Sequence, residues 1–178
     1  MKIDSEILKD GGIGIVATDT IYGIVGQALN KSTVERIYKV KKRTPTKPFI
    51  ILISSLSDLE SFAIKIDERT KTILNSYWPG PVSVILDCTN DDFEYLHRGT
   101  HTLAFRMPAK PELHELIHIT GPLVAPSANP EGLEPAVDIA AAIAYFDSTV
   151  DFYQEGIVTT KPSRIVRITD AGEEVIRP

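Results

Sequence analysis

Short apolar runs rich in β-branched residues alternate with segments of helical period along the whole chain, and that alternation constrains the fold more than any other feature. Asp4 or Ser5 caps a short first helix that carries Ile7 and Leu8 on one face and ends at Gly11-Gly12, and Ile13 to Ala17 then reads as a buried strand. Thr18 to Gly23 is rich in turn formers. Ser32 to Lys42 has Val34, Ile37, Tyr38 and Lys41 at helical spacing, and Pro45 and Pro48 forbid its continuation. Phe49 to Ile53 reads as a strand, Asp67 to Tyr77 as a helix and Val82 to Leu86 as a strand, with Trp78-Pro79-Gly80-Pro81 as the break between the last two. The alternation resumes with strands at Thr102 to Arg106 and Leu123 to Ala125, and helices at Pro111 to Thr120 and Asp138 to Phe146. Val150 to Tyr153, Arg164 to Ile168 and Val175 to Arg177 are the closing strands, with Asp170-Ala171-Gly172 turning the last hairpin. This is the pattern of one α/β domain over residues 1–178; no repeat, linker or composition shift divides it.

Charge is distributed unevenly along this chain. Nineteen Lys and Arg stand against 24 Asp and Glu, a net charge of −5, so the global basic field of a general nucleic-acid binder is missing. Lys39, Lys41, Lys42, Arg43 and Lys47 nevertheless crowd five of the nineteen cations into nine residues, and setting those five aside takes the net −5 to −10. Any polyanion must therefore be met locally. The single Cys88 rules out an internal disulfide framework and suits a reducing compartment; with no apolar signal core at the start and no apolar run of membrane-spanning length, a cytoplasmic location is expected.

Four segments carry side chains suited to chemistry. Charge runs at a helix end ordinarily face water and favour the helix dipole. Alternatively the two prolines stiffen the following loop, so that Lys41, Arg43 and Lys47 converge on phosphate oxygens at a smaller entropic cost. Ala125-Pro-Ser127-Ala-Asn129 directly follows a strand, where Ser and Asn either bond the local backbone or face a pocket at the strand's carboxyl end. Thr18 and Thr20 project to one side if their strand continues through them, as structural residues or as hydroxyls for a small polar substrate. His114-Glu-Leu-Ile-His118 is a literal H-E-x-x-H on a predicted helix, but Val124 stands where a third histidine is wanted and the helix ends at Gly121-Pro122, so no zinc site is expected. Gly11-Gly12-Ile-Gly14 precedes a strand rather than a helix and fits no phosphate-binding glycine loop.

In order along the chain, these segments resemble the YrdC family of threonylcarbamoyl-AMP synthases. Thr18-Asp-Thr-Ile-Tyr-Gly23 is similar to its Thr-acid turn, Lys41-Lys-Arg43 to its K-x-R, and Trp78-Pro-Gly-Pro81 to its W-P-G-P. Thr102-Leu-Ala-Phe-Arg106-Met-Pro resembles its T-x-A-x-R-x-P, Ser127-Ala-Asn129 its S-x-N, and Pro162-Ser163-Arg-Ile-Val its late Pro-Ser element. Ala17 and Thr44 replace two usual prolines, and Glu155-Gly156 is all that remains of a glycine-rich turn before Ser163. The resemblance implies an open, twisted, mixed β-sheet flanked by helices around a concave, locally basic cavity, either as the single-domain form of the family or as the corresponding part of a longer member.

The implied reaction joins L-threonine, bicarbonate or CO2, and ATP into threonylcarbamoyl-AMP and pyrophosphate, for threonylcarbamoyladenosine on tRNA. Carbamate and triphosphate are both anionic, so positive charge and positioning matter more than a strong base. By motif correspondence Lys41 and Arg43 are the catalytic charge neutralisers, and Lys39, Lys41, Arg43, Thr102, Ser127, Asn129 and Arg177 contact ATP. Thr18, Thr20, Lys47, Arg106 and Ser163 hold L-threonine, and Trp78 serves packing and turn formation. Mg2+ accompanies ATP on substrate oxygens, with no protein metal site. Downstream tRNA-modification proteins and a local RNA contact are the expected macromolecular partners, with no membrane. The competing readings are an RNA-binding module without catalysis and a relative that forms carbamoyl-adenylate from carbamoyl phosphate.

Overall fold

A computed structural model describes residues 5–159, 161–169 and 172–178. Its elements are α1 (Ser5–Lys9), β1 (Gly14–Ala17), β2 (Tyr22–Gln27), α2 (Lys31–Lys41), β3 (Ile50–Leu52), α3 (Glu68–Tyr77), β4 (Val82–Asp87), α4 (Glu94–His97) and β5 (Thr102–Arg106). They continue with α5 (Pro111–Thr120), β6 (Leu123–Val124), α6 (Ile139–Phe146), β7 (Phe152–Gln154), β8 (Arg164–Thr169) and β9 (Gly172–Arg177). Single-turn 3-10 helices at Asp91–Phe93 and Asp147–Thr149, and a longer one at Leu56–Phe62, fill three connections. The expected cap Asp4 and the turn residues Asp170 and Ala171 lie outside the described residues.

The strands form one open sheet in the order β7-β1-β2-β6-β3-β5-β4-β8-β9. Pairing is mixed: β1 with β7, β3 with β5 and β4 with β8 are parallel, and the other neighbours are antiparallel. In the β1-β2-β6-β3 half, side chains are buried on both faces, which is why β1, β3 and β6 read as unbroken apolar runs. Ile15, Ile24, Ile51 and Val124 enter the larger core, together with Val34 and Ile37 of α2. Their neighbours Val16, Val25, Leu52 and Leu123 enter a second core against Leu8 of α1 and Leu113, Leu116 and Ile117 of α5.

Those two helices cover only half of the second face. Beyond them, β5 buries Leu103 and Phe105 in the larger core and turns Thr102, Ala104 and Arg106 the other way. The register sets Ser83 of β4 opposite Ile165 of β8 on this same uncovered face. A functional hollow can therefore form there without breaching either core.

The sequence pattern placed no strand at Tyr22–Gln27; the structure shows β2 there, in the centre of the doubly covered half. Gly23 and Gly26 obscure its β character, and Gly26 is required by packing. A Cβ at that position would lie 2.5 Å from Thr33 Cγ2 and 3.1 Å from both Ile13 Cγ2 and Ile37 Cδ1, so only glycine lets α2 approach the strand. Gly26→Ala should destabilise the fold by about 1–3 kcal/mol through overpacking. At Gly23 the nearest atom is 3.4 Å away, so Gly23→Ala should cost less; the two denaturation midpoints, measured side by side, check the order.

Candidate active site

The basic segment divides between solvent and interior. Asn30 caps α2 by accepting from the backbone N–H groups of Ser32 and Thr33, which fixes the helix phase and with it which lysine turns inward. Lys39 and Lys42 are exposed, as a charge run at a helix end ordinarily is. Lys41 is 1% exposed, and its ammonium donates to Ser127 O, to Asn129 O at 2.5 Å and to Asn129 Oδ1 at 3.4 Å. Burial first, and the Arg43 charge second, lower its pKa to about 7, with Glu131 opposing them. Three acceptors around one nitrogen call for all three ammonium protons. Lys41 thus stands behind the cavity wall, holding the Ser127–Asn129 loop, and does not face the hollow itself.

Lys42 takes a left-handed conformation, φ 51°, and that turn sends Arg43 to the opposite side of the chain from Lys41. Arg43 lies over the Phe49 ring, 5.3 Å from its centroid, and donates to Lys47 O and Pro48 O. Phe49 is in turn stacked on Tyr38 at 4.1 Å. Lys47 is exposed and pairs with Glu131, which also accepts from Thr44 N at 2.5 Å and Thr44 Oγ1 at 2.8 Å. Those donors, Lys47 foremost, depress the Glu131 pKa to about 2. The segment after α2 is thereby clasped to the loop after β6.

A cavity of about 280 Å³ opens on the uncovered sheet face. Thr18, Thr20, Arg43, Arg106, Ser127, Ser163 and Arg177 all line it, so most residues singled out in the sequence meet there although they come from the whole length of the chain. Phe49, Ile50, Pro126 and Ile165 supply apolar wall between them. Asn129 is buried beside the wall, with its amide N–H2 on Pro130 O and Leu133 O and its oxygen accepting from Ser127 Oγ. Thr102 shares a face of β5 with Arg106 but lies at the strand's other end, in a separate hollow with Asp67, Arg69 and Arg167. Thr18 and Thr20 do face each other, Oγ1 to Oγ1 at 3.0 Å, although β1 ends at Ala17 and a turn, rather than a continued strand, brings them together.

The electrostatics are one-sided. Arg106 is 4% exposed and pairs through Nη1 with Asp19, whose other oxygen accepts from Ala109 N at 3.1 Å. Its Nη2 reaches Thr20 Oγ1 at 3.4 Å, and its buried Nε has no partner among the described residues. Nε and Nη2 form one edge of the guanidinium, the geometry that grips a carboxylate side-on. Arg177 donates from Nε and Nη2 to Ser163 O; burial, then the charge of Arg106, lowers its pKa. Neither Arg43 nor Arg177 forms an ion pair with any described residue. Asp19 and Glu131 are functional neighbours that sequence reasoning missed, since their roles exist only through partners 87 and 84 positions away.

Metal ligands fit poorly. His114 and His118 lie on α5, half-buried and exposed, and the one group of close metal-binding side chains among the described residues is Asp91, His97 and His101. There Gly99 N–H donates to His97 Nδ1 at 3.2 Å, leaving the ring proton on the buried Nε2, which has no partner. Ligation through Nε2 requires the opposite tautomer. No carboxylate of the described residues lines the main cavity, and Asp19 beside Arg106 is already engaged, so a cation there would be carried by the oxygens of its ligand.

The fold is an open-sheet α/β domain whose small cavity, walled by three guanidinium groups and several hydroxyls, is chemically suited to small anionic, polar ligands. The Sua5_yciO_yrdC family model, described as telomere recombination, matches residues 6–178, and the chain belongs to this family. It is 34% identical over 163 residues to the threonylcarbamoyl-AMP synthase of Bacillus subtilis (strain 168), covering 90% of this chain and 46% of that protein. It is 30% identical to the threonylcarbamoyl-AMP synthase of Nitrosococcus oceani, covering 93% and 91% respectively. The structure of Sua5 from P. abyssi complexed with L-threonine superposes with a TM-score of 0.89 at 28% identity, over 98% of this chain and 52% of that one. The chain spans about half the length of the Bacillus and P. abyssi proteins. Among the described residues no helix is long and apolar enough to cross a membrane.

Two predictions follow from the burial pattern. Lys41→Met leaves Ser127 O and Asn129 O without their donor and should cost about 2–4 kcal/mol in chemical denaturation, whereas Lys39→Met on the exposed face should stay within about 0.5 kcal/mol. The Glu131 clasp should be fully formed above the carboxyl's ordinary value of 4.5 and lost as pH falls through about 2. The Thr44 amide resonance should report that opening, and Glu131→Gln should abolish its titration.

Proposed function

We propose that this chain is an L-threonylcarbamoyladenylate synthase, making threonylcarbamoyl-AMP and pyrophosphate from L-threonine, bicarbonate or CO2, and ATP. The observation that carries the reading is the convergence of Arg106, Arg43 and Arg177, with Thr20 and Ser163, on one small cavity of a Sua5/YciO/YrdC domain. The names of the relatives and the L-threonine bound to P. abyssi Sua5 support the same assignment.

The cavity's groups divide the work. The Nε/Nη2 edge of Arg106, whose Nε has no partner among the described residues and whose Nη2 reaches only Thr20 Oγ1, takes the threonine carboxylate, and Asp19 holds the guanidinium through Nη1. The amino nitrogen, carboxylated by CO2 with loss of a proton, becomes a carbamate. A carbamate oxygen then attacks the α-phosphorus of ATP; the new O–P bond forms as the bond to the pyrophosphate oxygen breaks, and pyrophosphate leaves with the electron pair. Two anions must approach each other, so neutralising charge without a reorganisation cost is the main catalytic requirement. Arg43 is held on carbonyl oxygens and an aromatic face, forms no ion pair with any described residue, and supplies that charge. Arg177 does the same from the opposite wall. Lys41 acts through the Ser127–Asn129 loop that it pins. ATP enters as its magnesium complex, with Ser127 and Asn129 beside the nucleotide, while Thr102, in its separate hollow, and the exposed Lys39 take no part in this arrangement; Lys47 reaches the amino acid only when released from Glu131.

The product would pass to enzymes that place threonylcarbamoyl groups on tRNA in the cytoplasm. Direct RNA binding gains little from a chain whose residues outside the basic segment total −10, once its five cations are taken from the net −5. Incubating the protein with MgATP, bicarbonate and each amino acid in turn, and identifying the adenylate by mass, tests the reading: a threonine-dependent product is expected, and no adenylate with any amino acid overturns it. Arg43→Ala should lower turnover by roughly 10²-fold or more, the scale of one preorganised charge stabiliser, and pyrophosphate release near the wild-type rate would remove Arg43 from that role.

A further inference from the structure

A buried hydroxyl behind the cavity sets the hydrogen-bond polarity of one of its walls. Ser83 lies on β4 opposite Ile165 of β8 and is 0% exposed, and its Oγ is 2.9 Å from the Oγ of Ser163, just ahead of β8. Ser163 is 4% exposed and lines the cavity. Its Oγ also accepts from Arg177 Nη2 at 3.2 Å, and its carbonyl accepts from Arg177 Nε at 2.9 Å and Nη2 at 2.6 Å.

Only one proton order satisfies this group. A hydroxyl has one proton and two lone pairs. If Ser163 donated to Ser83, the Ser83 proton would be left in a fully buried position with no acceptor among the described residues, the costlier arrangement. If Ser83 donates to Ser163, that proton is used, both lone pairs of Ser163 are filled by Ser83 and Arg177, and the Ser163 proton is the one group left for the cavity.

The facing wall has the opposite bias. Thr18 Oγ1 donates to Ile21 O at 2.7 Å and accepts from Thr20 N at 3.1 Å, so its contact with Thr20 Oγ1 is made by the Thr20 proton. Thr18 is then saturated. Thr20, which also accepts from Arg106 Nη2, keeps one lone pair and no proton. The cavity thus offers an acceptor at Thr20 and a donor at Ser163.

We propose that Ser83 is a positioning residue for the amino-acid site: its buried hydroxyl, with Arg177, locks Ser163 as a donor aimed at an acceptor oxygen of the bound amino acid. This rests on the proposed function and names a residue that touches no substrate. Ser83→Ala frees the Ser163 hydroxyl to spend its proton elsewhere, while leaving a side chain of the same shape less one oxygen.

Steady-state kinetics of Ser83→Ala, Ser163→Ala and the double variant, with unfolding midpoints recorded in parallel, give the first test. Ser83→Ala should raise KM for L-threonine about tenfold, with kcat and KM for ATP changed by less than about twofold. Because Ser83 acts through Ser163, adding Ser83→Ala to Ser163→Ala should change KM by less than about twofold. An unchanged threonine KM in the single variant, an equal rise for ATP, or penalties that multiply in the double variant would overturn the proposal. A neutron structure of the wild-type protein tests the proton order whatever reaction the protein catalyses: a deuteron on Ser83 Oγ directed at Ser163 is expected, and one on Ser163 directed at Ser83 refutes it. Absence of threonine-dependent adenylate from the wild-type protein, by contrast, counts against the proposed function and leaves the neutron result to decide the hydrogen-bond assignment.

Discussion

The buried ammonium of Lys41 joins the two chain segments on which the cavity depends. It ties the last turn of α2 to the carbonyls of Ser127 and Asn129, and Glu131 N donates to Lys41 O at 2.8 Å, so the tie is made from both ends of the residue. Burying a charge is costly unless it is surrounded by acceptors, and here the acceptors belong to the loop that must be placed. The left-handed Lys42 immediately after it then delivers Arg43 to the cavity. A single helix end thereby performs two tasks with cations two positions apart: one is consumed inside the fold and one is left on the cavity wall.

The rest of the site relies on the half-covered sheet. α1 and α5 seal the second face only over β1, β2, β6 and β3, and the side chains of β4, β5 and β8 beyond them form a floor that is neither core nor ordinary surface. Arg106 and Ser83 sit on that floor, and Arg177, from the edge strand β9, reaches Ser163 just ahead of β8. Three guanidinium groups line the cavity with no carboxylate of the described residues beside them on its wall, which leaves it electrostatically incomplete. Under the proposed function, a carboxylate and phosphates complete it.

Much of this was legible in the sequence because β-branched runs and helical spacing report burial directly. Helices α2, α3, α5 and α6 and strands β1, β3, β4, β5 and β8 lie within a residue or two of where period and caps place them. β2 was missed because Gly26 answers to α2 packing rather than to strand propensity. The basic segment was visible as charge, but charge cannot tell Lys41 from Lys39; helix phase decides that, and it sends the first inward and the second to water. Asp19 and Ser83 were invisible for a different reason. Each is an ordinary turn or strand residue until its partner arrives, Arg106 for the one and Ser163 for the other, from 87 and 80 positions away. Thr102 shows the limit of motif correspondence: it shares a strand and a face with Arg106 but opens on a neighbouring hollow.

Under the proposed function, the Nε/Nη2 edge of Arg106 recognises the carboxylate of the amino acid. Calorimetric titration of the protein with L-threonine and with L-threonine amide tests it most directly, since the two differ in the group that Arg106 would grip. The acid should bind and the amide should bind at least about tenfold more weakly, the scale of one charge-assisted pair. Equal affinities for the two would contradict the account.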